Sequence, residues 1–514
     1  MLHDPETLPL KGFPNVLRKE SSVRPTSATF IPTCGQEPTL REILVALSFA
    51  LDLTEGAVPG HSIRSCLLGM RIALAAGLDG AQLTNLYYAS LLKDVGCSSN
   101  SARMCQIVGG DDRAVKAGAK LADWTRPLRP RVATLKMLWQ EVLPEASILE
   151  RGARIVKLAV TQHYNNKELI EIRCDRGAQI VRKLGLNDHV AIAVRHLDEH
   201  WNGGGYPSGW KGKSIPLLSR IMGIAQHLDA FCMDQGPAIA IDTLVERSGR
   251  WFDPQLVKAT VALHRSRTLW EDCLPGDSSE QSRAAILRHY HDDETQLSAL
   301  DIDAICEAFA DVVDAKSPFT YRHSVGVRDA AVAIGQVLGL RSDRMQLLSR
   351  AAFLHDLGKL SISNTILDKP GKLTGEEFLL IQGHPLQSAA ILNRVAAFRE
   401  MAILAGEHHE KLDGTGYPYG LRAPEISLES RILAVADLFG ALSEDRPYRK
   451  ALDPATIRSI MERDVPKKLD PVCYEAICQI MDDANSFARL THRPPAETCM
   501  VPIAHPEAAL PAAV

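Results

Sequence analysis

One set of landmarks occurs twice in the same order, and this repetition constrains the fold more than any single element. "HSIRS" begins at His61 and "HSVGV" at His323; "LLKDVGC" contains Lys93 and "FLHDLGK" contains His355. Both pairs align at one common offset. "HLDEHWNGGGYP", from His196 to Pro207, and "HHEKLDGTGYP", from His408 to Pro418, then align at a smaller one. The difference puts extra sequence in the first copy at about residues 100–150, where "RPLRPRV" and "LPEAS" interrupt the pattern. Each copy closes alike, with "WFDPQLV" at Trp251 and "KLDPVCY" at Lys468. A duplicated domain follows.

Helical periodicity dominates each copy. After His323, residues Val327, Ala330, Ala331, Ile334, Val337 and Leu338 share one face at i, i+3, i+4, i+7 spacing, and Gly339 marks a stop. Ser342 is an N-cap candidate for the segment leading to His355 and Asp356. Thr374-x-x-Glu377 forms a capping box for the helix expected to carry His384, and "SLESRILAVADLFGAL" is a helix carrying Asp437. No alternating strand pattern of useful length occurs, so the fold class is all-α. The expected division is a flexible segment 1–38, a first copy 39–268, a linker 269–300 around "LPGDSSEQSR", a second copy 301–490 and a flexible tail 491–514.

Composition excludes several classes. A net charge of −4 over 514 residues argues against a nucleic-acid polymer held by charge. Eleven scattered cysteines without a C-x-x-C pair argue for a reducing compartment and against a zinc ribbon or disulfide framework. The N-terminus has prolines and acidic residues where a signal peptide is apolar, and no stretch of ~18 apolar residues follows. The expectation is a cytoplasmic chain with no membrane contact.

The chemistry-bearing residues gather in the second copy: His323, the pair His355–Asp356, His384, the pair His408–His409, and Asp437. Nitrogen and oxygen donors without thiolates suit iron, manganese or similar ions better than structural zinc. Successive helical residues diverge by ~100°, so adjacent histidines are expected to serve two ions rather than one. Asp356 could bridge such a pair with its two oxygens at the ~3.5–4 Å separation of two-metal hydrolases. Lys359 could neutralise a phosphoryl oxygen or assist a leaving group. Gly414, Gly416 and Pro418 make a turn admitting close approach of a ligand, and Arg446 and Arg449 are natural phosphate partners. The set favours phosphodiester hydrolysis. By contrast, His3–Asp4 and His291–Asp292 read as solvated surface, and the glycine run 203–205 as a turn.

His355-Asp356-x-Gly-Lys359 together with His408-His409-Glu410-x-x-Asp413-Gly-x-Gly-Tyr-Pro resembles the HD-GYP family of HD-domain phosphohydrolases. The similarity extends over about 301–485, through "ILDKPGKLTGEEF", "GHPLQSAA", "RILAVADLFGAL" and "EDRPYRK". The resemblance implies an α-helical domain with a non-haem di-metal centre that hydrolyses cyclic di-GMP to pGpG or GMP. It makes His323, His355, Asp356, His384, His408, His409 and Asp437 metal ligands and Lys359 the catalytic lysine beside Asp356. Gly416, Tyr417, Arg446 and Arg449 become the substrate contacts. Members with a third metal carry a glutamate where Phe319 stands, so two ions, iron or manganese, are expected. Gly326, Ser388 and Gly440 replace an arginine, a glycine and an aspartate usual in the family, and none removes a ligand.

Aligned with that pattern, the first copy has Lys93 at the first motif histidine, Cys97 at the lysine and Arg173 at the third-helix histidine. Leu197 and Asp198 occupy the adjacent pair and Gln226 the final aspartate; His61 and Asp94 survive. Cations at ligand positions repel a metal. The expectation is a metal-free, inactive copy that packs against the second, binds a partner (a second chain or a signalling protein), or senses a ligand. His200, Asp198 and Glu199 do not make a metal site there, since the supporting ligands are missing.

Overall fold

Apolar residues at helical spacing give each copy a bundle of helices, and in the computed structural model no strand forms among the described residues, which are 38–123, 138–144, 146–289, 299–320, 322–446 and 449–491. The expected flexible ends therefore lie almost wholly outside the described residues, as does the central part of the insertion. None of the described helices is long and apolar enough to cross a membrane, and every described cysteine is a free thiol.

The duplication is visible in the packing. Helix His61–Ala75 lies against Leu217–Gln235 in the first copy, and His323–Val337 lies against Leu428–Ser443 in the second. In both, a buried aspartate collects the start of the first of these helices: Asp52 accepts the Ser62 N–H and hydroxyl at 2.9 and 2.7 Å, and Asp314 those of Ser324 at 3.1 and 2.7 Å. An arginine–aspartate pair closes each copy, Arg220–Asp253 at 2.6 Å and Arg431–Asp470 at 3.0 Å.

The predicted apolar face of His323–Val337 is buried at Val327, Ala330, Ala331 and Ile334, but Val337, in the last turn, is 45 % exposed. Three local expectations shift. Arg341, not Ser342, occupies the N-cap of helix Ser342–Leu354. The Thr374–Glu377 capping box forms, but its helix ends at Gln382, and His384 opens the next one, His384–Leu392. The stretch 269–300 is not simple connecting chain, because helix Ser279–His289 buries Ala285 and Ile286.

The insertion joins the two copies. In helix Asp112–Leu121 the first residue reaches the second copy, where the Asp112 carboxylate accepts the Asn364 N–H at 2.9 Å and the Ser363 hydroxyl at 3.2 Å and faces Lys316 at 3.4 Å. Arg113 donates to the Ser361 carbonyl. Across another part of the contact Lys183 bridges Glu307 and Asp311, each at 2.8 Å. The first copy is thus packed directly against the turn that follows the His355–Asp356 motif.

Candidate metal centre

Helix ends build the site. His355 caps the C-terminus of Ser342–Leu354, His384 is the first residue of its helix, and His408 caps the C-terminus of Arg399–Glu407. Each of these three imidazoles spends Nδ1–H on a carbonyl three residues back, Ala352 (2.8 Å), Ile381 (2.7 Å) and Ala405 (2.7 Å). That fixes the tautomer and leaves Nε2 bare, the arrangement a metal-ligating histidine needs. Gly358 explains the spacing of the motif: a Cβ there would lie 2.1 Å from the His384 carbonyl oxygen, so only glycine lets the turn approach that helix start.

The bare atoms converge. Asp356 Oδ2 lies 3.3 Å from His355 Nε2 and 3.6 Å from His323 Nε2; its Oδ1 lies 3.1 Å from His384 Nε2 and 3.8 Å from His408 Nε2. Asp437 Oδ1 is 3.2 Å from His323 Nε2 and its Oδ2 is 3.7 Å from His409 Nδ1. Three overlapping donor groups result, each within 4.8 Å: His323, His355 and Asp437 on one side, His384, His408 and His409 on the other, and His355, Asp356 and His408 between them. All seven sequence-predicted ligands are brought together. His408 also groups with His355 and Asp356, whereas His409 does not; the chain leaves its helix at His408, and the two ring centroids lie 4.1 Å apart.

The donors fit divalent cations. His323 Nε2, His355 Nε2 and Asp356 Oδ1 are buried without a hydrogen-bond partner, and a buried polar atom left unsatisfied costs roughly 1–3 kcal/mol unless something binds it. A set of imidazoles and carboxylates without thiolate suits divalent first-row ions with nitrogen and oxygen preference. Burial raises the pKa of both carboxylates, but His355 and Lys359 outweigh it at Asp356, and His323 and His355 at Asp437, holding both well below the usual range. Burial opposes charge on His355 and His323; Asp356 raises the former to about 10 and Glu444 the latter to about 9. Burial pushes His409 down to about 3 and His408 well below its ordinary value.

Lys359, in the short turn Leu357–Ser361, holds Asp356 Oδ2. The GYP loop is organised by Glu410, whose carboxylate accepts the N–H groups of Tyr419, Gly420 and Leu421 at 2.6, 3.1 and 2.9 Å. Gly416 serves that fold rather than approach of a ligand: a Cβ would sit 2.4 Å from Lys411 N and 2.5 Å from Glu410 Cα. Tyr417 lays its ring 4.8 Å from that of His409, and burial raises its phenol, keeping it protonated. Arg446 stands 3.5 Å from Glu444. Arg449 departs from the phosphate role read from the sequence, because its guanidinium donates to the carbonyls of Ala441, Leu442, Glu444 and Lys450 at the end of Leu428–Ser443.

In the first copy the same frame is filled with cations. Gly96 abuts the Arg173 carbonyl as Gly358 abuts that of His384, which places Arg173 at the third-histidine position, where it pairs with Asp198. Lys93 pairs with Asp94, and Lys120 Nζ lies 2.9 Å from Glu55, 3.8 Å from Asp94 and 3.3 Å from His61 Nε2. Glu55, Asp94 and Cys97 could group around an ion, yet these ammonium groups stand among them. Sequence reasoning missed Lys120 and Glu55 because neither has a counterpart in the motif. It also missed Glu444, although Gly326 and Gly440 side by side in one copy signalled a local rearrangement.

Comparison with known proteins agrees with this geometry. The HD domain family matches residues 132–256 and 307–472. The chain is 39 % identical over 438 residues to the 3'3'-cGAMP-specific phosphodiesterase 3 of Vibrio cholerae, covering 85 % of this chain and 94 % of that protein. It is 40 % identical over 146 residues to a cyclic di-GMP phosphodiesterase of Pseudomonas aeruginosa, covering 28 % of this chain and 35 % of that one. The crystal structure of a cyclic GMP-AMP-specific phosphodiesterase of V. cholerae superposes with a TM-score of 0.58 at 33 % identity, over 90 % of this chain and 99 % of the other. The chain belongs to the HD-domain phosphohydrolases of the HD-GYP family.

Proposed function

We propose that the chain is a two-metal phosphodiesterase that opens a cyclic dinucleotide, with the chemistry confined to the second copy. The observation that carries this reading is the division of labour at Asp356, whose two oxygens face separate histidine groups. Two iron or manganese ions bound there would polarise the phosphoryl group and acidify a water. The chain's own residues do the rest. In this reading Asp356 spans the two groups, Lys359, on Asp356 Oδ2, neutralises the oxygen leaving phosphorus, and Arg446 holds a phosphate of the substrate. Arg449 and Glu410 keep the flanking loops in position. Water adds to phosphorus as the P–O3′ bond breaks, so the first product is a linear dinucleotide.

The substrate read from the motifs is cyclic di-GMP. The relative matched along nearly its whole length, both copies included, is named for 3'3'-cGAMP, and that favours 3'3'-cGAMP as the better substrate. The shorter match to a cyclic di-GMP enzyme supports the second reading. The first copy, with Lys93 and Arg173 at ligand positions, is assigned no turnover and acts as a scaffold for the second. Manganese- or iron-loaded protein incubated with each nucleotide, with products resolved by chromatography, tests the proposal. Turnover is expected for the wild type, with kcat reduced about 10²–10³-fold in Lys359→Met at unchanged metal content. Failure to cleave either nucleotide with both ions bound would overturn it.

A further inference from the structure

The first histidine of each copy is held by a carboxylate and a guanidinium, but the two copies take these groups from different places. In the first copy His61 Nδ1 donates to Asp229 at 2.6 Å, and Arg64 clamps the same carboxylate at 2.6 and 3.2 Å. All three are buried. The matching positions of the second copy, three residues after His323 and three after Asp437, are Gly326 and Gly440.

Losing both side chains leaves room beside His323, and Glu444 enters it. A Cβ on Gly326 would lie 3.6 Å from Glu444 Oε1, and one on Gly440 would lie 3.5 Å from His323 Cε1. Glu444 follows helix Leu428–Ser443 and brings Oε2 to 2.9 Å from His323 Nδ1, with Arg446 at 3.5 Å from the same oxygen. The trio of imidazole, carboxylate and guanidinium is thereby rebuilt from the loop after the helix rather than from the helix itself.

We infer that Glu444 is the positioning residue for His323, and that the grip of the His323–His355–Asp437 group on its ion depends on the 444–446 loop. This rests on the reading of the second copy as a metal centre. A carboxylate accepting Nδ1–H fixes the tautomer, aims Nε2 at the ion and strengthens it as a donor. His355, His384 and His408 receive the same service from carbonyls of their own chain segments. His323 has no such carbonyl and takes a side chain from a loop that also carries Arg446.

The test is metal retention by the full chain under chelator competition, with manganese as probe. Wild type is expected to hold two ions. Glu444→Gln should weaken one of them about 10–100-fold, and excess manganese should restore kcat. Glu444→Ala should behave likewise, and adding Gly326→Arg and Gly440→Asp, which reinstates the first copy's pair, should recover retention. Two ions held equally by wild type and Glu444→Gln would overturn the inference and leave the metal centre standing. A rescue variant no better than Glu444→Ala would also overturn it. A wild type that holds no ion would instead overturn the reading beneath.

Discussion

Gly416 and Gly205 are the same position in two copies, and substituting alanine at each separates what the GYP loop does for stability from what it does for turnover. In the second copy the new Cβ would meet Lys411 N at 2.4 Å and Glu410 Cα at 2.5 Å; in the first it would meet His200 N at 2.2 Å and the Asp198 carbonyl oxygen at 2.4 Å. These are backbone atoms, so rotamer changes give no relief and the loop must move by about 1 Å. Overpacking of this kind costs roughly 1–3 kcal/mol. The shift also strains the carboxylate clasp, which is Glu410 on three N–H groups in one copy and Glu199 on those of Ser208 and Trp210 (2.8 and 3.0 Å) in the other. Losing one such charge-assisted bond adds about 1.5–3 kcal/mol. Each variant should therefore lose about 2.5–6 kcal/mol, or roughly 5–24 °C in melting temperature for a domain of this size. Only Gly416→Ala displaces Tyr417 from His409, and an ångström at a reacting centre costs about 10²-fold. Melting curves and kcat/KM below both transitions should show both variants destabilised and only Gly416→Ala impaired. Gly371→Ala, where a Cβ meets nothing within 4 Å, serves as control. Equal loss of kcat/KM in Gly205→Ala, or an unchanged kcat/KM in Gly416→Ala, would refute the reasoning.

Metal loading should release protons. In the metal-free site, with burial opposing, Asp356 holds His355 at about 10 and Glu444 holds His323 at about 9, so both are charged at neutral pH; His408 and His409 are already neutral. Metal must displace those protons, so affinity should climb as pH rises and level off above about 10; calorimetry at pH 7 in two buffers should give about two protons released per chain, and zero would contradict it. At the contact between copies, Asp112→Ala strands buried Lys316, which burial already pushes down to about 8 against the pull of Asp112. Breaking the pair should cost about 3–5 kcal/mol. A lysine with a depressed folded value loses stability as pH falls from about 10.4 to that value, and stays at the lower level beneath it. The variant's value is lower still, so its deficit against wild type in urea melts should be larger at pH 6.5 than at pH 9. A deficit that grows with pH would contradict the assignment.

Much of the fold and site was legible because the motif residues sit at helix ends, where local rules are strong. The Thr374–Glu377 box, the helix bearing Asp437 and the face of Val327, Ala330, Ala331 and Ile334 are set by short-range periodicity and capping. What escaped was set by long-range packing. The chain leaves its helix at His408, so the placement of the His408 and His409 rings is set by packing around the centre and not by helical geometry alone. Arg449 carries the charge of a phosphate ligand, yet its guanidinium donates to the Leu442 and Glu444 carbonyls at a helix end. Lys116 and Lys120 come from an inserted helix with no counterpart in the second copy, so no alignment could place Lys120 beside Glu55. Periodicity also cannot say where a neighbouring helix stops, which is why Val337 is exposed.

Elemental analysis combined with anomalous diffraction on manganese-loaded full-length chain tests the central claim most directly. The account predicts two ions per chain, on either side of Asp356, and none among Lys93, Lys120 and Arg173. A single ion, none, or density in the first copy would contradict it.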